Sequence, residues 1–227
     1  MKFFAQNLQN ALDQQGLTPE ELAVKAGLDA GDIRKILKEE KSLLPSELLK
    51  ISNTLHIGLT RLFTENGCAQ VPFECKLIAL DIDGVMTDGG MIVNSDGTEA
   101  KKFNTKDGMA IKKALKQGVE VGFISSGKNI DLIRYRADML GVKHVWVGSG
   151  EKLDVLNEWC KKLNISLSQV AYIGDDINDM AVLKNVGLPA CPSDAVPAVK
   201  DVCSHILIRK GGDGCVRELV ELMGLMG

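Results

Sequence analysis

Apolar residues recur at helical spacing from Phe4 to Phe63: Leu8, Ala11 and Leu12, then Leu22, Ala23 and Ala26, then Ile33, Ile36 and Leu37, then Leu48, Leu49, Ile51 and Leu55. A period near 3.6 predicts a series of short helices. Thr18, Pro19 and Glu21 form a helix start, with a capping threonine, a proline at the first helical position and a glutamate placed for a capping box. Gly27, Leu28 and Asp29 interrupt the pattern before a second helix, 30–38, and Pro45 opens a further one. After about residue 75 the pattern changes. Short apolar runs at 77–80, 119–124, 144–147 and 169–173 alternate with amphipathic stretches at 106–117, 130–140, 152–163 and 177–184. Strand and helix in alternation predict an α/β domain, a Rossmann-like doubly wound parallel sheet with helices on both faces. Two extended runs around Ser95, Asp96 and Gly97 add a β-hairpin directly after the first strand. The expected organisation is a small all-α domain over 1–66, a linker over 67–75 marked by Gln70 and Pro72, and an α/β domain over 76–227.

Composition changes this picture little. The 227 residues are 45% apolar and 25% charged, as in soluble globular proteins, and the net charge of -3 gives no general pull towards nucleic acid or an anionic membrane. No apolar run is long enough for a membrane span, and the start turns polar too soon for a signal peptide, so a cytoplasmic protein is expected. The six cysteines, Cys68, Cys75, Cys160, Cys191, Cys203 and Cys215, form no C-x-x-C pair. They read as thiols of a reducing compartment.

The chemistry lies where the strands end. The first run, Leu77–Leu80, stops at Asp81 and Asp83; the second delivers Ser125, Ser126, Gly127 and Lys128; the fourth delivers Gly174, Asp175, Asp176 and Asp179; Lys152 opens the helix between. In open parallel sheets ligands collect at the carboxyl ends of the strands. Two carboxylates at one strand end repel each other unless a cation lies between them, which predicts a metal-dependent site.

Asp-x-Asp-Gly, then Ser-Gly, then Lys, then Gly-Asp-Asp-x-x-Asp, in that order, resembles the haloacid dehalogenase superfamily of phosphotransferases over residues 74–227. The stretches Asp81–Gly90, Lys102–Gly108, Arg136–Val142, Tyr172–Asp179 and Gly211–Glu218 resemble its capless branch, which dephosphorylates 2-keto-3-deoxy sugar acids. The resemblance implies Asp81 as nucleophile, forming an aspartyl phosphate, and Asp83 as acid and base. It implies Mg2+ held by Asp81, the backbone carbonyl of Asp83 and Asp175, with Asp176 and Asp179 orienting the metal's water and neutralising Lys152. Ser126, Gly127, Lys152 and the amides around Gly84 would hold the phosphoryl oxygens.

Lys128 stands where octulosonate enzymes of the branch usually carry arginine and some nonulosonate enzymes glutamate. With Arg136, Lys101 and Lys102 it is a candidate for the substrate's carboxylate or phosphate. The implied substrate is 3-deoxy-D-manno-octulosonate 8-phosphate or a nonulosonate 9-phosphate, and the implied assembly is a homotetramer in which a neighbour helps to close the site.

Residues 1–66 resemble the Cro/repressor type of helix-turn-helix, carried by Leu17–Leu37 with Leu48–Phe63 as the closing helix and tail. That implies a helix able to enter the DNA major groove, with Asp32, Arg34 and Lys35 exposed. These residues hold eight Lys/Arg against nine Asp/Glu, so little basic charge is available for DNA phosphates. A fold retained for dimerisation, for contact with protein or for no binding at all stands beside DNA as the alternative. A regulator that senses a phosphorylated sugar acid without hydrolysing it is the rival from another class.

Overall fold

Five helical segments, α1 (Phe4–Gln15), α2 (Pro19–Ala26), α3 (Ala30–Leu37), α4 (Pro45–Leu55) and α5 (Leu59–Phe63), build the first part of the computed structural model, which describes residues 3–63 and 73–226. The chain divides into two compact units, Met1–Pro72 and Phe73–Gly227. Residues 67–72 of the segment read as a linker, Cys68 among them, lie outside the described residues. In the first unit the periodic apolar positions meet except for Leu49, which is exposed on α4, and Leu8, Leu12, Leu22, Ile33, Ile51 and Leu55 are fully buried together with Phe4 and Leu62. The Thr18 hydroxyl accepts the Glu21 amide while Glu21 accepts the Thr18 amide, closing the capping box. Gly27, at φ +62°, ends α2 in the left-handed region and turns the chain into α3. Arg34 on α3 is paired with Glu20, and Lys41 with Asp32 and Glu47, so these cations meet carboxylates of their own unit.

The second unit is the α/β fold that strand and helix alternation predicts. Its six strands are β1 (Leu77–Leu80), β4 (Glu120–Ser125), β5 (His144–Val147), β6 (Val170–Ile173), β7 (Leu188–Cys191) and β8 (His205–Ile206), and a separate hairpin pairs β2 (Ile92–Val93) with β3 (Glu99–Ala100). All neighbours in the sheet are parallel, in the order β5-β4-β1-β6-β7-β8. Alternation along β1 divides the core. Ile78 and Leu80 face α6 (Thr105–Lys116), α7 (Ile130–Leu140) and α11 (Cys215–Leu222); Leu77 and Ala79 face α8 (Lys152–Leu163), α9 (Met180–Leu183) and α10 (Pro197–Val202). Strand order reverses beside β1, between β4 on one side and β6 on the other, which opens the crevice where such sheets bind ligands.

The helix expected over 177–184 is instead a 3₁₀ turn, Ile177–Asp179, followed by the short α9. The cause lies in Asp179, whose carboxylate turns back to accept the amides of Asp175 and Asp176 and so tightens the first turn. β4 runs one residue later than expected and ends on Ser125. Among the described residues no helix is long and apolar enough to cross a membrane.

Candidate active site

The Asp81 amide donates to the Ile173 carbonyl at 3.0 Å, so the β1–β6 ladder continues one residue past the strand and fixes where this carboxylate emerges. The chain then turns through Asp83 and through Gly84, at φ +87°. A Cβ at Gly84 would stand 2.0 Å from Asp175 Oδ2, so only glycine lets the turn after β1 lie against the aspartate that follows β6.

Lys152, the first residue of α8, is buried and reaches into this crevice. Its Nζ lies 2.8 Å from Asp81 Oδ1 and 2.7 Å from Asp179 Oδ1. Asp179 is saturated by its partners. Oδ1 also accepts the Tyr172 hydroxyl at 2.6 Å, and Oδ2 accepts the amides of Asp175 and Asp176 at 3.0 and 3.3 Å. Oxygens of Asp81, Asp175 and Asp179 lie within 4.8 Å of one another, a group that could hold a metal ion. The two donors on each Asp179 oxygen leave Asp81 and Asp175 as the carboxylates with lone pairs free for a cation.

The electrostatics favour one there. Burial, then the charge of Asp179, pushes the Asp81 carboxyl up to about 8, against the opposing pull of Lys152. Burial, then Asp179 and Asp176, raises Asp175 to about 6. For Lys152, burial works against the charge, but Asp81 and Asp179 outweigh it and hold the ammonium above its ordinary value. One ammonium does not offset this many carboxylates, and an all-oxygen donor set suits a hard cation such as Mg2+.

This makes the metal-free fold sensitive to pH. Asp81 has an ordinary value of 3.8 and a raised one in the folded chain, so the folded state holds its proton more tightly than the unfolded state does. This group's contribution to stability is therefore fully present below about pH 4 and is lost as pH rises towards about 8, and Asp175 adds the same sign up to about 6. A cation held there would require the deprotonated pair. The rise in Tm on adding millimolar Mg2+ is thus expected to be larger at pH 8 than at pH 5, as followed by thermal melts with and without chelator; equal increments would sink this account.

The other expected residues sit around this centre to different degrees. Ser126 is exposed on the turn after β4, where its Oγ accepts from Asn178 Nδ2 at 3.3 Å, and the Gly127 amide donates to Ser125 Oγ at 3.1 Å. Asp83 is half-buried at the mouth, paired with Lys101 from the hairpin. Asp176 is exposed and its carboxylate accepts the Ile177 amide at 2.7 Å. Lys128 is exposed, and Lys102 is exposed with Asp88 3.7 Å away. Arg136 is not brought into the carboxylate cluster: its guanidinium lies over the Phe103 ring at 5.2 Å and donates to the Asn104 carbonyl at 3.4 Å, at the start of α6. Sequence reasoning missed Tyr172 and Asn178. A tyrosine inside an otherwise apolar strand was the available signal, since a buried hydroxyl needs a partner.

Comparison with known proteins agrees with this geometry. Residues 145–219 match the model of the haloacid dehalogenase-like hydrolases. The 3-deoxy-D-manno-octulosonate 8-phosphate phosphatase KdsC of Escherichia coli K12 is 36% identical over 148 residues, 65% of this chain and 78% of that protein. KdsC of Yersinia pestis is 34% identical over 173 residues, 76% of this chain and 92% of its own length. The crystal structure of the 3-deoxy-D-manno-octulosonate 8-phosphate phosphatase from Moraxella catarrhalis, in complex with magnesium ion, phosphate ion and KDO, superposes with a TM-score of 0.63 at 33% identity, covering 66% of this chain and 87% of that one. The identity and coverage place the chain, through its α/β unit, in the KdsC-type family of haloacid dehalogenase-like hydrolases, and it is a phosphoric monoester hydrolase.

Proposed function

We propose that the enzyme is a Mg2+-dependent phosphatase of 3-deoxy-D-manno-octulosonate 8-phosphate. The observation that carries this reading is the Asp81, Asp175 and Lys152 cluster at the carboxyl end of β1, in a fold that the Moraxella enzyme uses to hold magnesium, phosphate and KDO. Asp81 attacks the phosphorus, and the phosphoryl group passes to its carboxylate as the sugar oxygen leaves. Asp83 gives that oxygen a proton and then takes one from the water that hydrolyses the aspartyl phosphate. Lys152 and the Ser126–Gly127 turn offset charge on the phosphoryl oxygens, and Asp175 with Asp81 and the Asp83 carbonyl would hold the metal. When bound, Mg2+ lowers the repulsion between Asp81 and an anionic phosphate and polarises the phosphoryl group.

Lys128 and Lys102, exposed beside the site, are the cations we assign to the sugar acid's carboxylate, together with Arg136. The hairpin leaves Met91, Ile92 and Val93 exposed, and α7 leaves Tyr135 and Met139 exposed. Such apolar surface supports a homotetramer in which a neighbouring copy covers these faces. For the first unit, the ion pairs on α3 and the even charge balance support contact with protein rather than with DNA.

The test is a panel of phosphate esters assayed with Mg2+ and with chelator. The octulosonate 8-phosphate is expected to exceed nonulosonate 9-phosphates and hexose 6-phosphates in kcat/KM by about tenfold or more, the scale of one well-placed contact. A nonulosonate 9-phosphate turned over faster would transfer the assignment to that substrate.

A further inference from the structure

The hairpin places two lysines side by side, Lys101 and Lys102, directly after β3, and treats them oppositely. Successive residues of an extended chain point to opposite faces. Lys102 is 76% exposed, with Asp88 no nearer than 3.7 Å. The Lys101 side chain is only 10% exposed, although the strands that carry it are largely open to solvent, and its Nζ donates to Asp83 Oδ1. An ammonium so withdrawn from water needs its carboxylate partner. The second carboxylate oxygen is directed elsewhere: a Cβ at Gly127 would lie 3.8 Å from Asp83 Oδ2. The two oxygens of Asp83 are thus divided, one held by the hairpin and one facing the Ser126–Gly127 turn.

We propose that Lys101 is the positioning residue for Asp83: by holding Oδ1 it presents Oδ2 to the leaving oxygen of a phosphate ester seated on that turn. The inference rests on the assignment of Asp83 as acid and base. The lysine ties hairpin to carboxylate, so proton transfer depends on the hairpin lying over the site. Lys102 has no such part in turnover.

The experiment compares wild type with Lys101→Met, Lys101→Arg, Asp83→Asn and the double variant Asp83→Asn/Lys101→Met, as full chains with Mg2+. Each is assayed on the octulosonate 8-phosphate and, independently of that substrate assignment, on glycerol 2-phosphate, whose alkoxide leaving group also needs a proton. Lys101→Met is expected to lower kcat by tens of fold, a fraction of the ~10²–10⁴ that general acid–base catalysis contributes, with KM little changed. Lys101→Arg recovers most of the loss. In the Asp83→Asn background the second substitution changes kcat by less than about twofold, because residues acting as one unit are not additive. An equal loss in both backgrounds, a rise in KM alone, or wild-type kcat in Lys101→Met would overturn the proposal. Wild-type turnover by Asp83→Asn would remove the acid–base assignment and the proposal together. Failure on the sugar phosphate with activity on glycerol 2-phosphate would count against the substrate reading alone, and the second ester would still decide the role of Lys101.

Discussion

Asp81→Asn is expected to lower turnover by at least about 10⁴-fold while leaving the fold intact, the scale seen when a covalent nucleophile is removed. Asparagine has the shape of a protonated aspartic acid. In the metal-free chain the raised Asp81 is largely protonated near neutral pH, so the substitution replaces that form with a close isostere. It also removes one carboxylate from a cluster in which Asp179 and Asp175 already repel one another. The variant is therefore expected to melt at or above the metal-free wild type at pH 8, and to lose most of the Mg2+-induced rise in Tm. Rapid-quench assay for acid-stable phosphoprotein and thermal melts with and without Mg2+ check the two halves separately. Retained turnover would exclude Asp81 as nucleophile, and an undiminished Mg2+ shift would exclude it as a ligand.

What the sequence disclosed, and what it concealed, follows from the range of the interactions. The helices 130–140 and 152–163 and the strand 144–147 were legible because their signals are local: the Asn129 side chain caps the Leu132 amide, Gly141 and Asn164 end their helices in the left-handed region, and the apolar runs are clean. β7 and β8 were not. Pro189 interrupts the first, a residue that counts against a strand inside a sheet, and the second is two residues long; the first exists because β6 offers an edge to pair with, and the second because β7 then does. α11 depends on a contact between distant residues. Its Arg217 amide donates to the buried Asp107 at 2.8 Å, and burial raises that carboxyl to about 6. In the site, Asp81, Asp83, Lys152 and Asp175 were legible because each follows or opens an element whose end is defined. Which of Lys101 and Lys102 turns inward was not, since it is set by the hairpin register that pairs Ile92 with Ala100.

Lys152→Met tests the same cluster from the other side. The methionine keeps much of the lysine's length and apolar stem but removes the ammonium that lies within hydrogen-bond reach of both Asp81 and Asp179. Breaking a buried ion pair at one partner leaves an uncompensated charge, a cost of about 3–5 kcal/mol. The carboxylates can escape part of it by binding protons, so the loss of stability is expected to be smaller at pH 5 than at pH 8. Burial already favours the neutral form of Asp81, and without Lys152 the main group opposing it is gone. Mg2+ restores some stability at pH 8, because a cation again faces Asp81 and Asp175. It does not restore turnover, expected to remain about 10²–10³-fold below wild type if Lys152 has the proposed role of setting its charge against the phosphoryl oxygens. Urea unfolding at the two pH values, with and without Mg2+, separates these effects from the assay. A loss of stability independent of pH would mean that Lys152 contributes by packing alone. Wild-type turnover in the Mg2+-restored variant would show that its charge does not act on the phosphoryl group.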